Sequence, residues 1–356
     1  MSHNLESLIE RWDGLAIVSR FDSTSGAWIF ICMHDDTLGP CTGGTRMKVY
    51  DSPAEGLRDG MRLAEGMTCK WAAINEPVGG GKAVIALDHP LDDDARRRLL
   101  LLYGELIESL RGAFKTGEDM GTTSSDMQII AERCSHVHGF HPIDGGKVDP
   151  SPFTARAVFE GIKSAIDHAY DSDDLSGRSV LVQGVGNVGF NLARMLTAAG
   201  ASVLVTDIDT ERTEEVARQL GAEVVPPGEV YTTTCDVYAP CAVGATVNEQ
   251  TIPRLQCGIV AGSANNQLAE PADAQRLLEK EIVYVPDYII NAGGALSFAL
   301  MDKDHADLDA LLEEMTSIGV TVGEILREAA EYHESPVAAA ERRVQKTLAA
   351  ARRSPD

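Results

Sequence analysis

Lys82 stands behind three consecutive glycines, Gly79-Gly80-Gly81, and the carboxylates Glu118 and Asp119 sit together inside Thr116-Gly117-Glu118-Asp119-Met120-Gly121-Thr122. Glycines remove side-chain bulk, so a substrate can come close to both the backbone and the ammonium. A lysine desolvated there, or set beside another cation such as Lys70, loses proton affinity and can do acid–base work. Taken singly, these features have ordinary explanations. A lone lysine is usually a solvated surface charge, Gly79–Lys82 fits a flexible loop, and Glu118-Asp119 fits a helix cap. The chemical reading rests on their occurrence with two further unusual segments, Gly43-Gly44-Thr45-Arg46 and Met67-Thr68-Cys69-Lys70, in one chain.

A second constellation is Gly184-Val185-Gly186-Asn187-Val188-Gly189, a GxGxxG pattern. The pattern alone is weak in a chain with 33 glycines. Its context strengthens it: the apolar run Ser179 to Gln183 precedes it, an amphipathic helix follows, and Asp207 ends the next apolar run. Gly184 suits the tight turn, Gly186 lets backbone approach a pyrophosphate, and Gly189 allows close helix–strand packing. The helix N-terminus then offers unpaired N–H groups to phosphate. Asp207 would accept from the adenosine ribose hydroxyls and repel a 2′-phosphate, which favours NAD over NADP; Asp209 competes for that role.

The elements that must carry these residues follow from periodicity. Ala27 to Met33 reads as a strand, and residues 53–70 as a helix with Leu57, Met61, Ala64 and Met67 on one face. Ala83 to Leu87 reads as a strand. Asp92, Asp93 and Asp94 open a helix whose inner face is Leu99, Leu102, Tyr103, Leu106, Ile107 and Leu110. Periodicity collapses between Gly139 and Pro152, the candidate boundary. Thr154 to Ala169 resumes as a helix. Strand Ser179 to Gln183, helix Asn187 to Ala199 and strand Ser202 to Thr206 form a βαβ unit, with further strands near Val224, Val237, Ile259 and Val283. Leu308 to Ala351 reads helical, broken near Pro336. The expected fold is α/β with two domains. Residues 1–148 form an N-terminal α/β substrate domain, residues 149–330 a C-terminal Rossmann-type dinucleotide-binding domain, and residues 331–356 a helical tail returning to the first.

Composition sets bounds on partners. A chain of 356 residues exceeds the roughly 250–300 residues of a single core. The 54 acidic against 31 basic residues give a formal charge of -23, a field that repels nucleic acid and anionic membrane. No apolar run approaches the ~18 residues of a membrane span. Met1 to Trp12 lacks the basic start and apolar block of a secretory leader, so the expected location is the cytoplasm. The seven cysteines are scattered, odd in number and never spaced CxxC, which suits reduced buried thiols rather than a disulfide frame or a zinc site.

These segments resemble those of the leucine/phenylalanine/valine dehydrogenases within the wider glutamate dehydrogenase superfamily. Besides those quoted, the resemblance includes Gly39-Pro40, Gly66 before Met67, Ser151-Pro152-Phe153-Thr154-Ala155, Asp236 to Ala242, Gly262 to Leu268 and Pro286 to Gly294, in order across residues 39–298. It implies an NAD-dependent amino-acid dehydrogenase whose site lies in a cleft between two domains, in a homo-oligomer. By resemblance Lys82 is the catalytic lysine and Asp119 exchanges protons with the amine. Lys70 holds the substrate α-carboxylate with the backbone of Gly43 and Gly44. Met67, Asn265 and Asn291 line the substrate cleft, and Thr154 lies near the nicotinamide carboxamide. Ala239, Cys241, Ala261 and Asn265 join Gly184 to Gly189 and Asp207 around the cofactor. The ligands implied are an amino acid or 2-oxo acid, ammonia and NAD.

The positions matching the family's side-chain pocket are Thr42, Gly117, Ala295 and Phe298, none of them basic, so a second substrate carboxylate would be buried without a partner. Gly117 and Ala295 are small, which leans toward phenylalanine or another bulky side chain, with leucine or valine as the alternative; Phe298 offers a ring to an aromatic substrate. Trp71 and the segment after Phe298 depart from the family pattern. Two rival readings stand beside this one: a metal site at His136, His138 and His141 in what reads as a surface loop, and a catalytically silent NAD-binding regulator on the same fold.

Overall fold

The computed structural model describes residues 5–138, 149–301 and 307–353. By internal contacts the chain forms two units, residues 5–138, 298–301 and 344–353 in the first and residues 149–297 and 307–343 in the second.

In the first unit, helix α1 (Leu5–Trp12) leads to strands β1 (Ala16–Asp22), β2 (Ala27–Asp35), β3 (Cys41–Thr42) and β4 (Thr45–Val49). Helix α2 (Pro53–Ala73), strand β5 (Gly79–Leu87), helix α3 (Asp93–Ser109), strand β6 (Phe114–Lys115) and helix α4 (Ser124–Ala131) follow. The six strands form one mixed sheet in the order β1-β2-β5-β3-β6, with β4 also paired to β5. All nine residues of β5 are buried, because helices cover both of its faces. Successive strand residues alternate faces. Ile29, Ile31, Ala83 and Ile85 therefore pack with Leu99, Leu100 and Tyr103 of α3, while Phe30, Cys32, Val84 and Ala86 pack with Met61 and Ala64 of α2.

That alternation sorts the polar residues too. Thr45 and Ala83 are partners in the β4–β5 ladder, as are Arg46 and Val84. Thr45 thus faces α3, where its hydroxyl lies 2.6 Å from Tyr103 Oη and 2.6 Å from Thr116 Oγ1 in a fully buried cluster. Arg46 and Lys82 face α2.

Helix ends follow local chemistry. Ser52 and Asp92 cap α2 and α3 through their side chains, and Thr123 with Asp126 forms a capping box on α4.

The second unit begins with helix α5 (Ser151–Tyr170) and runs through β7 (Ser179–Gln183), α6 (Asn187–Ala198), β8 (Ser202–Thr206), α7 (Thr210–Leu220) and β9 (Glu223–Val224). It continues with β10 (Val237–Pro240), β11 (Ile259–Val260), α8 (Ala272–Glu279), β12 (Val283–Tyr284), α9 (Asp287–Ile290) and α10 (Gly293–Met301). Helices α11 (Leu308–Glu314), α12 (Thr316–Tyr332) and α13 (Pro336–Arg352) complete the chain. Its sheet is wholly parallel, ordered β12-β11-β10-β7-β8-β9. Counted from β7, this is the 3-2-1-4-5-6 order of a dinucleotide-binding fold, with its switch point between β7 and β10.

Three expectations need correction. Gly79–Lys82 is not a loop but the start of β5, where close packing explains the glycines: a Cβ on Gly80 would collide with Thr68 of α2. Residues 136–138 of the histidine stretch are not a surface loop, since Val137 and His138 are buried and Thr116 N donates to His136 O. His141 lies outside the described residues, as do 139–148 of the boundary stretch, and no metal-binding cluster occurs among the described ones. The tail joins the first unit from residue 344 rather than 331. Residues before that stay with the second unit because α12 buries Ile318, Val322 and Ile325, Ser164 donates to Gly319 O at 2.8 Å, and Val337 joins the second unit's core. Arg352 then pairs with Asp35 at 2.7 Å within the first unit.

Replacing Tyr103 by Phe removes one hydroxyl and leaves Thr45 and Thr116 paired with each other. The expected loss is about 1 kcal/mol, read as a lower denaturant midpoint at unchanged slope.

Candidate functional site

Lys82 reaches the site from a strand buried on both faces, and only 7 % of its side chain is exposed. Its Nζ lies 3.3 Å from Asp119 Oδ2. Asp119 belongs to the segment after β6, which is laced to β4: Thr45 N donates to Gly117 O (2.8 Å), Met47 N to Met120 O (2.9 Å) and Thr122 Oγ1 to Thr45 O (2.8 Å). Thr122 Oγ1 also accepts from Asp119 N. The carboxylate is therefore set by backbone pairing rather than left on a free loop.

A third side chain completes the centre. Arg46 Nε donates to the same Asp119 Oδ2 at 2.9 Å, and its Nη1 reaches Asp59 Oδ2 of α2 at 3.0 Å. Burial pushes the Lys82 ammonium below the ordinary lysine range; Asp119 opposes this and Arg46 adds to it. For Asp119, burial acts upward, but Lys82 and Arg46 outweigh it and hold the carboxyl below its usual range. The pair is thus an ionised carboxylate beside an amine of reduced basicity. The leading cationic neighbour of Lys82 is Arg46, where the sequence suggests Lys70. The β4–β5 register, which sets Arg46 beside Val84, puts it on the face of Lys82, and local periodicity carries no sign of that register.

The other first-unit candidates surround this pair. A Cβ on Gly43 would collide with Gly81 O and lie 3.4 Å from Met67 Cγ; one on Gly44 would lie 3.0 Å from Asp119 Cβ. Backbone therefore packs directly on the pair. Met67 and Lys70 share one side of α2 by their spacing. Trp71 is buried and donates from Nε1 to Thr42 O at 3.2 Å, which fixes the strand entering Gly43 and Gly44. A Cβ on Gly117 would meet His138 O at 3.8 Å, Phe298 Cδ2 at 3.9 Å and His138 Cβ at 4.0 Å, all ordinary contacts. His138, considered from sequence only as a metal ligand, is a wall of this space.

In the second unit the candidates gather at the carboxyl ends of the parallel strands. Gly184 has φ +94° and packs on Ala242, and a Cβ on Gly189 would collide with Gly184 O. At Gly186 a Cβ would meet nothing within 4 Å, and α6 begins there without a side-chain cap. Val185, Asn187 and Val188 complete the turn. Open space before an uncapped helix N-terminus fits a dinucleotide pyrophosphate. Asp207 accepts from Val185 N (2.8 Å) and Asp209 N (3.1 Å), so its carboxylate is fixed at the end of β8 with lone pairs left for ribose hydroxyls. Asp209 is engaged otherwise, as the cap of α7 through Arg212 N. Cys241 N donates to Gln183 O across the switch point, beside buried Ala239 and Ala261. Asn291 donates to Asn265 Oδ1 (2.8 Å) and Ser263 O (3.2 Å). Thr154 Oγ1 donates to Pro150 O (3.2 Å), and Gly294 packs against the same hydroxyl. Ala295 is partly buried on α10.

With this geometry in view, comparison with known proteins is informative. Residues 22–136 match the model of the Glu/Leu/Phe/Val dehydrogenase dimerisation domain, and residues 205–354 that of glutamate/leucine/phenylalanine/valine dehydrogenase. Leucine dehydrogenase of Bacillus cereus is 42% identical over 92% of this chain and 88% of its own. Phenylalanine dehydrogenase of Lysinibacillus sphaericus is 40% identical over 92% and 86%. The crystal structure of L-tryptophan dehydrogenase from Nostoc punctiforme superposes with a TM-score of 0.85 at 36% identity, covering 98% of this chain and 100% of that one.

Replacing Asp207 by Asn keeps an acceptor for Val185 N but removes the charge that repels a 2′-phosphate. Isothermal titration with NAD and NADP is expected to show their affinity ratio shifting toward NADP by about tenfold or more, roughly 1.4 kcal/mol. An unchanged ratio contradicts the ribose role.

Proposed function

Because the chain belongs to the glutamate/leucine/phenylalanine/valine dehydrogenase family, we propose that it catalyses the NAD-dependent, reversible oxidative deamination of a bulky apolar L-amino acid, aromatic before branched-chain. The observation that carries this reading is the buried Lys82–Asp119 contact of 3.3 Å.

The residues divide the work by charge. Asp119 makes both its cationic contacts through Oδ2, which leaves Oδ1 to accept a proton from the substrate ammonium. Lys70 and the backbone at Gly43 and Gly44 hold the α-carboxylate. NAD, when bound, supplies the acceptor for the hydride of the α-carbon. Lys82, as the amine, takes a proton from the water attacking the imino carbon. The resulting ammonium then stabilises the developing oxyanion. Asp119 returns its proton to the departing nitrogen, its freed carboxylate takes the hydroxyl proton as the C–N bond breaks, and ammonia and a 2-oxo acid leave.

The side-chain preference rests on Gly117, where ordinary contact distances around an added carbon mean that the glycine leaves room. The second unit's parallel sheet, its open helix N-terminus and Asp207 support NAD. The matched dimerisation-domain model supports a homo-oligomer, which light scattering would test. The seven cysteines form no disulfide, which supports the reducing cytoplasm, and no helix among the described residues is long and apolar enough to cross a membrane.

Lys82→Ala is expected to abolish NAD reduction with leucine, valine, isoleucine, phenylalanine and tryptophan, while NADH binding persists; surviving turnover refutes the assignment. The pH profile has a defined sign. Because Lys82 is depressed, its amine form is present above that lowered value. kcat/KM should fall tenfold per pH unit on the acid side, with a midpoint below the ordinary lysine value of about 10.4. Asp119, also depressed, stays ionised across that limb and does not set it. Gly117→Ala should fold normally and reduce kcat/KM for phenylalanine relative to valine by about 10-fold or more, as one methylene is worth roughly 1–3 kcal/mol.

A further inference from the structure

Asp119 is held from one side by the amine of Lys82 and from the other by Arg46, which the reaction as described leaves without a task. Arg46 is 14 % exposed and uses two different nitrogens on two carboxylates, Nε on Asp119 and Nη1 on Asp59. Asp59 is itself fixed: Tyr50 Oη donates to its Oδ2 at 2.8 Å, and Arg62 Nη2 reaches its Oδ1 at 2.9 Å. The result is a chain of charge-assisted bonds from α2 through β4 to the carboxylate beside Lys82. A planar guanidinium can span two carboxylates in fixed directions; a lysine ammonium lacks that fork.

We propose that Arg46 is a positioning residue of this site, clamping the Asp119 oxygen that Lys82 also contacts and anchoring it through Asp59 to α2, so that carboxylate and amine stay in working register. The proposal rests on the reading of Lys82 and Asp119 as the catalytic pair.

Electrostatics gives the clamp a second effect. The leading charged groups acting on Lys82 are Asp119 after β6, Arg46 on β4 and Asp59 on α2. Arg46 disfavours the ammonium, while both carboxylates favour it. Behind Asp59 a hollow of about 420 Å³ is lined by further charges, Lys48, Asp51, Glu55 and Arg58, of which Arg58 is paired with Glu55. Burial is the leading push of Lys82 toward its amine, Arg46 adds to it, and Asp119 and Asp59 oppose it.

The two ends of the clamp therefore shift the acid limb in opposite directions. In the full-length enzyme saturated with NAD, Arg46→Met removes a repelling cation and leaves Asp119 to Lys82 alone. Its acid-limb midpoint in kcat/KM should rise by on the order of one pH unit, with kcat down at least tenfold and NADH affinity unchanged. Asp59→Asn removes an anion that favours the ammonium, so its midpoint should fall. Arg46→Lys keeps the charge without the fork, so kcat should drop while the midpoint stays near that of the wild type. Direct titration of the Lys82 side-chain nitrogen by NMR should show the same ordering. A midpoint unmoved in Arg46→Met, or both charge variants shifting in one direction, overturns the proposal. If Arg46→Met does not fold, an unmoved midpoint in Asp59→Asn overturns it, and a fall supports it. An active Lys82→Ala enzyme, by contrast, would fail the underlying catalytic reading and not this clamp alone.

Discussion

The first unit is organised around one costly placement, an amine buried in a strand that apolar residues cover on both faces. An isolated ammonium there would carry a desolvation penalty of several kcal/mol. Three features absorb it. Asp119 supplies the opposite charge at 3.3 Å, Arg46 secures that carboxylate, and Asp59 offsets the second cation. The remaining relief is a reduced proton affinity of Lys82 itself. That outcome is also what an acid–base group needs, so burial and chemistry impose the same demand on the strand.

The local packing serves that placement. Gly80 lets α2 settle onto β5, and Gly43 lets backbone cross directly over Gly81. With bulk removed on both sides, main chain packs closely around Lys82 and Asp119, and their polar ends are held by each other and by Arg46. The buried hydroxyls of Thr45, Tyr103 and Thr116 secure the same two segments from the opposite face. The second unit offers positive potential without burying a cation. It does so with an uncapped helix N-terminus at a parallel-sheet switch point, where backbone N–H groups supply the positive potential.

Much of this was legible in the sequence where the signal is local. The βαβ unit from Ser179 to Thr206 was readable nearly to the residue, since its period changes sharply and its glycines have fixed duties. The comparison with known families bears out the resemblance and the two-domain α/β class. What was illegible depends on tertiary partners. Gly79–Lys82 looks like a loop because glycine disfavours strands by propensity, and only α2 and the neighbouring strands make it one. Strands of two residues, such as Cys41–Thr42 and Phe114–Lys115, carry no periodicity at all. Arg46 was hidden because its partners come from α2 and from the segment after β6. His138 was hidden because an HxHxxH spacing suggests metal more readily than a wall against Gly117.

The division between chemistry and selectivity follows from the same backbone. Gly117 and Asp119 lie two positions apart on a segment whose carbonyls at 117 and 120 are bonded to successive amides of β4. That bonding ties both residues to β4 through one short segment. The walls of the space at Gly117, His138 and Phe298, come from elsewhere in the chain, and His138 N is bonded to Thr116 O just before the Asp119 segment. A change at Thr45 or Thr122 would loosen both at once.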